Sequence, residues 1–304
     1  MSTARIRGWR DDDAEAAASL LRAVAPQWLV SPDWLRFYVH SLPERAKHRV
    51  WVAEDGGELV GWAEANLRWT TAETGRGEVW VGVARAARGS GLGRALYEPL
   101  EGHLGAIVVD TEAVDDNGLR FAERLGFHVV SHDRYSELDP RSALPEIEPP
   151  PGIRVVPLAE VLDRRSDLHA VYAEAERDMP GEFARDRLDY DEWSAETLAS
   201  PMLDPELSQV VLDGDTVVSF AFISADREGR RADNEMTGTL GSHRGRGLAR
   251  LAKIATIRAC RDAGIVRITT SNAETNAPML AINNRLGYRP TVVTTSLEKR
   301  PAPQ

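Results

Sequence analysis

The chain holds a single cysteine, Cys260, among 304 residues, so no intramolecular disulfide can form. That usage suits a reducing, cytoplasmic setting. Cys260 stands beside Ile257 and Ala259 in an apolar helical pattern and reads as a small buried filler rather than a nucleophile. No run of about 18 apolar residues occurs, so no membrane span is expected. The N-terminus reaches Asp11-Asp12-Asp13 before any apolar stretch forms, which does not suit a signal peptide. Basic runs are missing too. Lys and Arg number 37 against 47 Asp and Glu, a net charge of −10. Residues 1–150 carry 17 basic and 24 acidic residues, and the remainder 20 and 23. Nucleic-acid binding needs clustered positive charge, so that class is set aside. The seven histidines lack metal-ligand spacing, and no metal is expected.

What is present is one pattern read twice. An acidic-Gly turn between apolar runs occurs at Asp55-Gly56 and again at Asp213-Gly214. Asp-Gly tolerates the positive φ of tight hairpin turns, so both read as β-hairpins. A Gly-rich turn occurs at Arg88-Gly89-Ser90-Gly91-Leu92-Gly93 and at Arg244-Gly245-Arg246-Gly247-Leu248-Ala249. A helix ending in Leu-Gly-aromatic occurs at Leu125-Gly126-Phe127 and at Leu286-Gly287-Tyr288. The offsets are 158, 156 and 161 residues, as read from the numbering. Near-constant offsets for three unlike features mean a duplicated domain.

Between the copies, residues 140–151 contain Pro140, Pro145, Pro149, Pro150 and Pro151. Such a stretch suits a semi-rigid linker. The expected domains are therefore 1–139 and 152–304. Each reads as strand, two helices, three strands, helix, strand, helix, two strands. In the first copy the helices fall near 12–24, 32–41, 91–104 and 116–125. The strands fall near 48–54, 59–68, 77–84, 106–111, 128–131 and 134–138. In the second, helices near 247–263 and 276–286 flank a strand at 266–271. The class is α/β with a mixed sheet.

The Gly-rich turn carries the chemistry. Its glycines let successive N–H groups converge, and the helix that follows adds partial positive charge, which together suit a pyrophosphate. It is not a dinucleotide fingerprint, because residue 94 is Arg94, and no Gly-Lys-Ser/Thr follows.

On these residues the chain resembles the GNAT superfamily of N-acetyltransferases, as two tandem domains covering nearly its whole length. The family signature, Arg/Gln-x-x-Gly-x-Gly/Ala, is matched by Arg88, Gly91 and Gly93, and by Arg244, Gly247 and Ala249. The run Thr237-Gly238-Thr239, His243 to Leu248, then Asn272 to Met279 is similar to tandem actinobacterial members. Mycothiol synthase shares the tandem plan, as a distant relative. The resemblance implies a splayed central sheet flanked by helices in each domain, and acetyl-CoA as co-substrate. It implies direct attack by a primary amine of a small molecule in a ternary complex. Val81, Val83, Thr237 and Thr239 would pair with the pantetheine arm. Arg88, Gly89, Ser90, Gly91, Leu92 and Gly93, with Arg244, Gly245, Arg246, Gly247, Leu248 and Ala249, would cradle the phosphates. Asn276 would cap the following helix, where the first copy has Asp115. His243 would be a positioning residue. The family's acid, a Tyr four residues before the Leu-Gly-aromatic glycine, is replaced by Ala122 and Asn283. A thiolate can also take its proton from water.

Glu235, nine residues before Arg244, shares the parity of Thr237 and Thr239 and is the base candidate. Glu78, ten residues before Arg88, is one step out of register, which a β-bulge would repair. Asn283 completes the catalytic candidates. Trp28 and Trp34 could line an aromatic acceptor pocket, with packing as the plainer reading. Asp178-Met179-Pro180-Gly181-Glu182 and Tyr190-Asp191-Glu192-Trp193 could form an acceptor loop. The second copy, with Asn276, its threonine strand and Glu235, is the expected catalytic half. Alternatives are a mycothiol-synthase-like or antibiotic-acetylating enzyme, or a non-catalytic acyl-CoA-binding module. A monomer that is internally a pseudo-dimer, or a homodimer, fits the duplication.

Overall fold

A computed structural model describes residues 4–105, 108–180, 184–186 and 188–300. Ala106 and Ile107 of the expected strand, and Gly181 and Glu182 of the expected acceptor loop, lie outside the described residues. Two compact units form. The first comprises residues 1–132 with 294–304, and the second residues 133–293.

The first unit runs β1 (Arg5–Gly8), α1 (Ala14–Val24), α2 (Pro32–Ser41), β2 (Arg49–Asp55), β3 (Glu58–Leu67), β4 (Arg76–Val83), α3 (Leu92–Leu104), β5 (Val108–Ala113) and α4 (Asp116–Arg124). The first half of β6 (His128–Leu138) ends this run. α1 starts at the acidic residues and buries Ala17, Leu20, Leu21 and Val24, one face at helical spacing. Gly56 and Gly57, at φ of 59° and 88°, close the β2–β3 hairpin that Asp55-Gly56 signalled.

The second unit runs from the rest of β6 through β7 (Ile153–Pro157), α5 (Arg165–Arg177) and α6 (Tyr190–Trp193), which continues as a π-helical turn at Ser194–Leu198. β8 (Gln209–Asp213), β9 (Thr216–Asp226), β10 (Arg231–Thr239), α7 (Leu248–Asp262), β11 (Arg267–Ala273), α8 (Ala277–Leu286) and β12 (Arg289–Lys299) follow.

The repeat is therefore real at the level of elements, with one difference that moves the boundaries. Where two strands were expected at 128–131 and 134–138, β6 is a single strand, and its residues divide between the units. So do those of β12. Thr295–Lys299 of β12 pair antiparallel with β5 and complete the first unit's sheet, in the order β1-β2-β3-β4-β5-β12. Asp133–Leu138 of β6 pair antiparallel with β11 and complete the second unit's sheet, in the order β6-β11-β10-β9-β8-β7. The physical reason is edge satisfaction, since an unpaired β5 or β11 would leave a row of open N–H and C=O groups. Leu297 and Leu138 drive their own insertion: Leu297 joins the apolar cluster of Val109, Ala113 and Phe127, and Leu138 that of Ile268 and Tyr288. The units thus part within β6 and β12 rather than at 140–151. The proline-rich segment forms no helix or strand and packs Leu144 and Ile147 against the second unit's apolar clusters.

Cys260 is fully buried in that core, and burial pushes its thiol up to about 12. No helix among the described residues is long and apolar enough to cross a membrane.

Candidate functional site

In the second unit, β10 and β11 are parallel partners over only three residues, Arg231–Asp233 against Arg267–Thr269. Thr270 Oγ1 still donates to the Asn234 carbonyl at 3.2 Å, and beyond that link no further pairing joins the two strands. A cavity of about 710 Å³ lies there, lined by β10, the loop before α7, the start of α7, β11 and α8. Glu235, Thr237, Thr239, every residue from Arg244 to Ala249, and Asn276 all line it.

The loop is built as its glycines require. Gly245 and Gly247 take φ of 76° and 81°, a region that side-chain-bearing residues rarely adopt. A β-carbon on either would meet nothing within 4 Å, so the cradle is open to a ligand. Arg244 Nε donates to the Thr239 carbonyl at 3.1 Å, and its guanidinium pairs with Asp178 at 2.6 Å. Asp213 accepts from Arg246 at 2.9 Å and lies 3.5 Å from His243. Gly238 lets α5 approach, since a β-carbon there would stand 2.7 Å from that of Ala175.

Glu235 sits on a bulge. Against β9, Asn234 pairs with Ile223 and Met236 with Phe222, so Glu235 has no opposite residue. The extra residue breaks the parity expected with Thr237 and Thr239. Asn234 ties the bulge down: its Nδ2 donates to the Phe222 carbonyl at 2.9 Å and the Met236 carbonyl at 3.3 Å. Its Oδ1 accepts from Thr237 Oγ1 at 3.2 Å and from Lys253 Nζ. Glu235 is exposed to the cavity, yet desolvation by the protein packed around it raises its carboxyl above the usual carboxylate range, against a hydrogen bond from Ser224. Burial raises neighbouring Asp233 as well, with repulsion from Glu235 adding to it.

Sequence reasoning missed the companions of Glu235. Glu176 on α5 is raised by burial, and Glu196 in the π-helical turn is pushed up to about 7 by burial and then by Glu176. Tyr172, stacked on Phe220 with centroids 5.5 Å apart, feels the charges of Glu176, Glu196 and Glu235. The i, i+4 spacing of Tyr172 and Glu176 was a legible hint of a shared helix face. The π-turn that brings in Glu196 left no such trace. Of the expected acceptor segments, Asp178 and Met179 line the cavity. Trp193 is buried among Tyr172, His169 and Tyr190.

Asn276 caps α8, accepting from the Met279 N–H at 3.3 Å. Asn283 is buried and donates to Asn272 Oδ1 at 2.6 Å; of the two, Asn272 lines the cavity.

The first unit has the same loop, and a β-carbon on Gly89 or Gly91 would also meet nothing within 4 Å. Gly89 and Gly91 take φ of 80° and 90°, and Arg88 Nε donates to the Val83 carbonyl at 3.1 Å. Ser90 Oγ donates to the Ala87 carbonyl at 2.8 Å. Arg88 is already paired at 2.9 Å with Asp115, which caps α4 through the Gly118 N–H. β4 and β5 pair over Arg76–Glu78 and Val108–Asp110. The cavity beyond them measures only about 40 Å³ and is lined by Val79, Val81, Tyr97, Phe121, Ala122 and Phe127, among others. Val81, Val83 and Leu92 pack into the apolar cluster on that side. The β3–β4 register runs unbroken through Asn66–Glu78, so the bulge that would have repaired Glu78 does not form there. Glu78 instead pairs with Arg68 at 2.8 Å. Trp28 packs on Trp80 at 4.7 Å and Trp34 stacks on Tyr38 at 4.8 Å, the packing reading.

A splayed parallel pair ending at a glycine-rich loop and helix, formed in one unit and repeated in the other, defines an acyltransferase fold. The chain belongs to the acetyltransferase (GNAT) family, matching it over residues 12–127 and 168–288. It is similar in structure to a tandem GNAT protein from the clavulanic acid biosynthesis pathway, solved without AcCoA. That match has a TM-score of 0.74 at 19% identity and covers 99% of each chain. It is also similar to a GCN5-related N-acetyltransferase from Sphaerobacter thermophilus, with a TM-score of 0.71 at 21% identity, covering 98% of this chain and 96% of that one. No curated protein matches in sequence.

Proposed function

We propose that the second unit binds acetyl-CoA and transfers its acetyl group to a primary amine of a small molecule by direct attack in a ternary complex. The observation that carries this is the cavity of about 710 Å³ that the second Gly-rich loop lines from Arg244 to Ala249 together with Glu235, Thr237 and Thr239, whereas the first unit's pocket of about 40 Å³ touches none of residues 88–93. The N–H groups of residues 245–249 and the start of α7 suit the phosphates. Thr237 and Thr239 offer the unpaired edge of β10 to the pantetheine arm. Glu235 takes the proton of the attacking amine, directly or through one water, and its carboxyl, raised above the ordinary range, is the stronger base for it. The first unit, its loop arginine held by Asp115, serves as scaffold.

The test is release of free coenzyme A thiol against a panel of primary amines, including aminoglycosides. Turnover with any amine supports the enzyme. Saturable acetyl-CoA binding with no release above background across the panel favours a non-catalytic binding module.

A further inference from the structure

We propose that Lys253 is the proton donor to the departing coenzyme A sulfur, taking the part of the hydroxyl that neither Ala122 nor Asn283 provides. The inference rests on the reading of the second unit as the acyl-CoA site.

Lys253 lies on α7 with only 1% of its surface exposed, and it lines the 710 Å³ cavity. Its ammonium sits where the strands separate. Nζ donates to Oδ1 of Asn234, the first residue of β10 past the paired stretch, whose carbonyl accepts from Thr270 on the opposite strand. The Tyr288 ring lies 5.2 Å from Nζ on another side. An ammonium has three N–H donors, and among the described residues one neutral amide oxygen is its only hydrogen-bond acceptor. No carboxylate stands within ion-pair distance of it among those residues. Asp233 on β10 acts on it from further away.

A buried lysine is ordinarily matched by a carboxylate or replaced by an apolar residue. This one keeps spare donors in the opening where a thioester would lie. Burial also lowers its ammonium to about 7, opposed by Asp233, so it can both hold and release a proton near neutral pH.

The step balances without any further reactant. The amine nitrogen bonds to the acyl carbon, the C–S bond breaks with its electron pair going to sulfur, and Lys253 passes one proton to that sulfur. The proton lost by the amine goes to Glu235 and on to solvent. Neutral Lys253 regains a proton from solvent for the next cycle. Asn283 cannot fill this place, because its amide N–H is not an acid at these pH values and already donates to Asn272.

The experiment needs no acceptor. Free coenzyme A is the probe, bound to the full chain, and ultraviolet absorbance of its thiolate is followed against pH. Wild type, Lys253→Met, Lys253→Arg and Lys253→Gln are compared, with calorimetric affinity for coenzyme A as the check that each site is formed. Lys253→Met conserves volume, and if it fails to fold, Lys253→Gln carries the same comparison. The bound thiolate fraction near neutral pH, where Lys253 still carries charge, should fall about tenfold in Met and Gln and hold or rise in Arg. Equal thiol titration in all four proteins, with coenzyme A bound in each, would overturn the role of Lys253 alone. Absence of coenzyme A binding to wild type would overturn the site reading and the proposal with it.

Discussion

In the first unit the Phe121 ring closes against Gly93, so that a β-carbon at residue 93 would lie 3.4 Å from it. At the matching place in the second unit stands Ala249, which lines the cavity. Two loops of one sequence pattern, with the same arginine-to-carbonyl bond at 3.1 Å, thus differ in what lies beside them.

One acetyl-CoA per chain is the resulting expectation for calorimetry. Gly247→Asp puts a side chain at a φ of 81° and a negative charge beside the phosphates. It should weaken binding at least about 100-fold, roughly 3 kcal/mol. Gly91→Asp, in the unit assigned as scaffold, should leave affinity and stoichiometry near wild type. A stoichiometry of two, or loss of binding in Gly91→Asp alone, reverses the assignment of the halves.

The shared strands predict where stability resides. Leu297 is fully buried in the first unit although it is far in sequence from the β5 strand it pairs beside. Leu297→Ala should lower unfolding free energy by about 2–5 kcal/mol in urea titrations. A loss under about 1 kcal/mol would mean that Thr295–Lys299 does not complete that sheet.

The duplication, both hairpins, both Gly-rich turns and the helix caps at Asp115 and Asn276 were legible because each depends on a local signal. Glycine permits positive φ, Asx residues cap, and apolar spacing follows the helix. The boundaries were not legible. Proline at 140–151 marks where helix and strand stop, yet it does not say where tertiary contacts part, and those follow the pairing of Leu138 and Leu297 with distant strands. The bulge at Glu235 was hidden for a similar reason, since it depends on Asn234 bonding across to β9 and to Lys253 on α7. Nothing local in the sequence sets Lys253 apart, because its burial and its bond to Asn234 arise only from packing of α7 on β10.

Glu196 gives stability a pH slope. Its carboxyl is held at about 7 in the folded chain against 4.5 unfolded. Between these values the folded chain binds more protons than the unfolded one, so unfolding free energy falls as pH rises from about 4.5 to 7. At about 1.4 kcal/mol per unit, the loss is at most about 3 kcal/mol. Glu196→Gln removes the titration. Its melting temperature relative to wild type should therefore climb between pH 5 and 7.5. A difference that stays constant with pH would show that Glu196 is not held protonated.

Glu235 is the residue on which the chemistry turns. Its place on the bulge exposes it to the cavity while the surrounding protein raises its carboxyl. Glu235→Gln keeps shape and hydrogen bonding but cannot accept a proton. With a responsive amine in hand, turnover should drop about 100-fold to 10,000-fold, the range for loss of a general base, while acetyl-CoA affinity stays unchanged. The wild-type rate should rise with pH as the raised carboxyl ionises, and the variant should lose that limb of the profile. The control is Glu78→Gln. Glu78 is held by Arg68 in the unit assigned as scaffold, and the substitution should leave turnover near wild type. If Glu78→Gln abolishes turnover and Glu235→Gln spares it, the reacting amine belongs to the first unit after all.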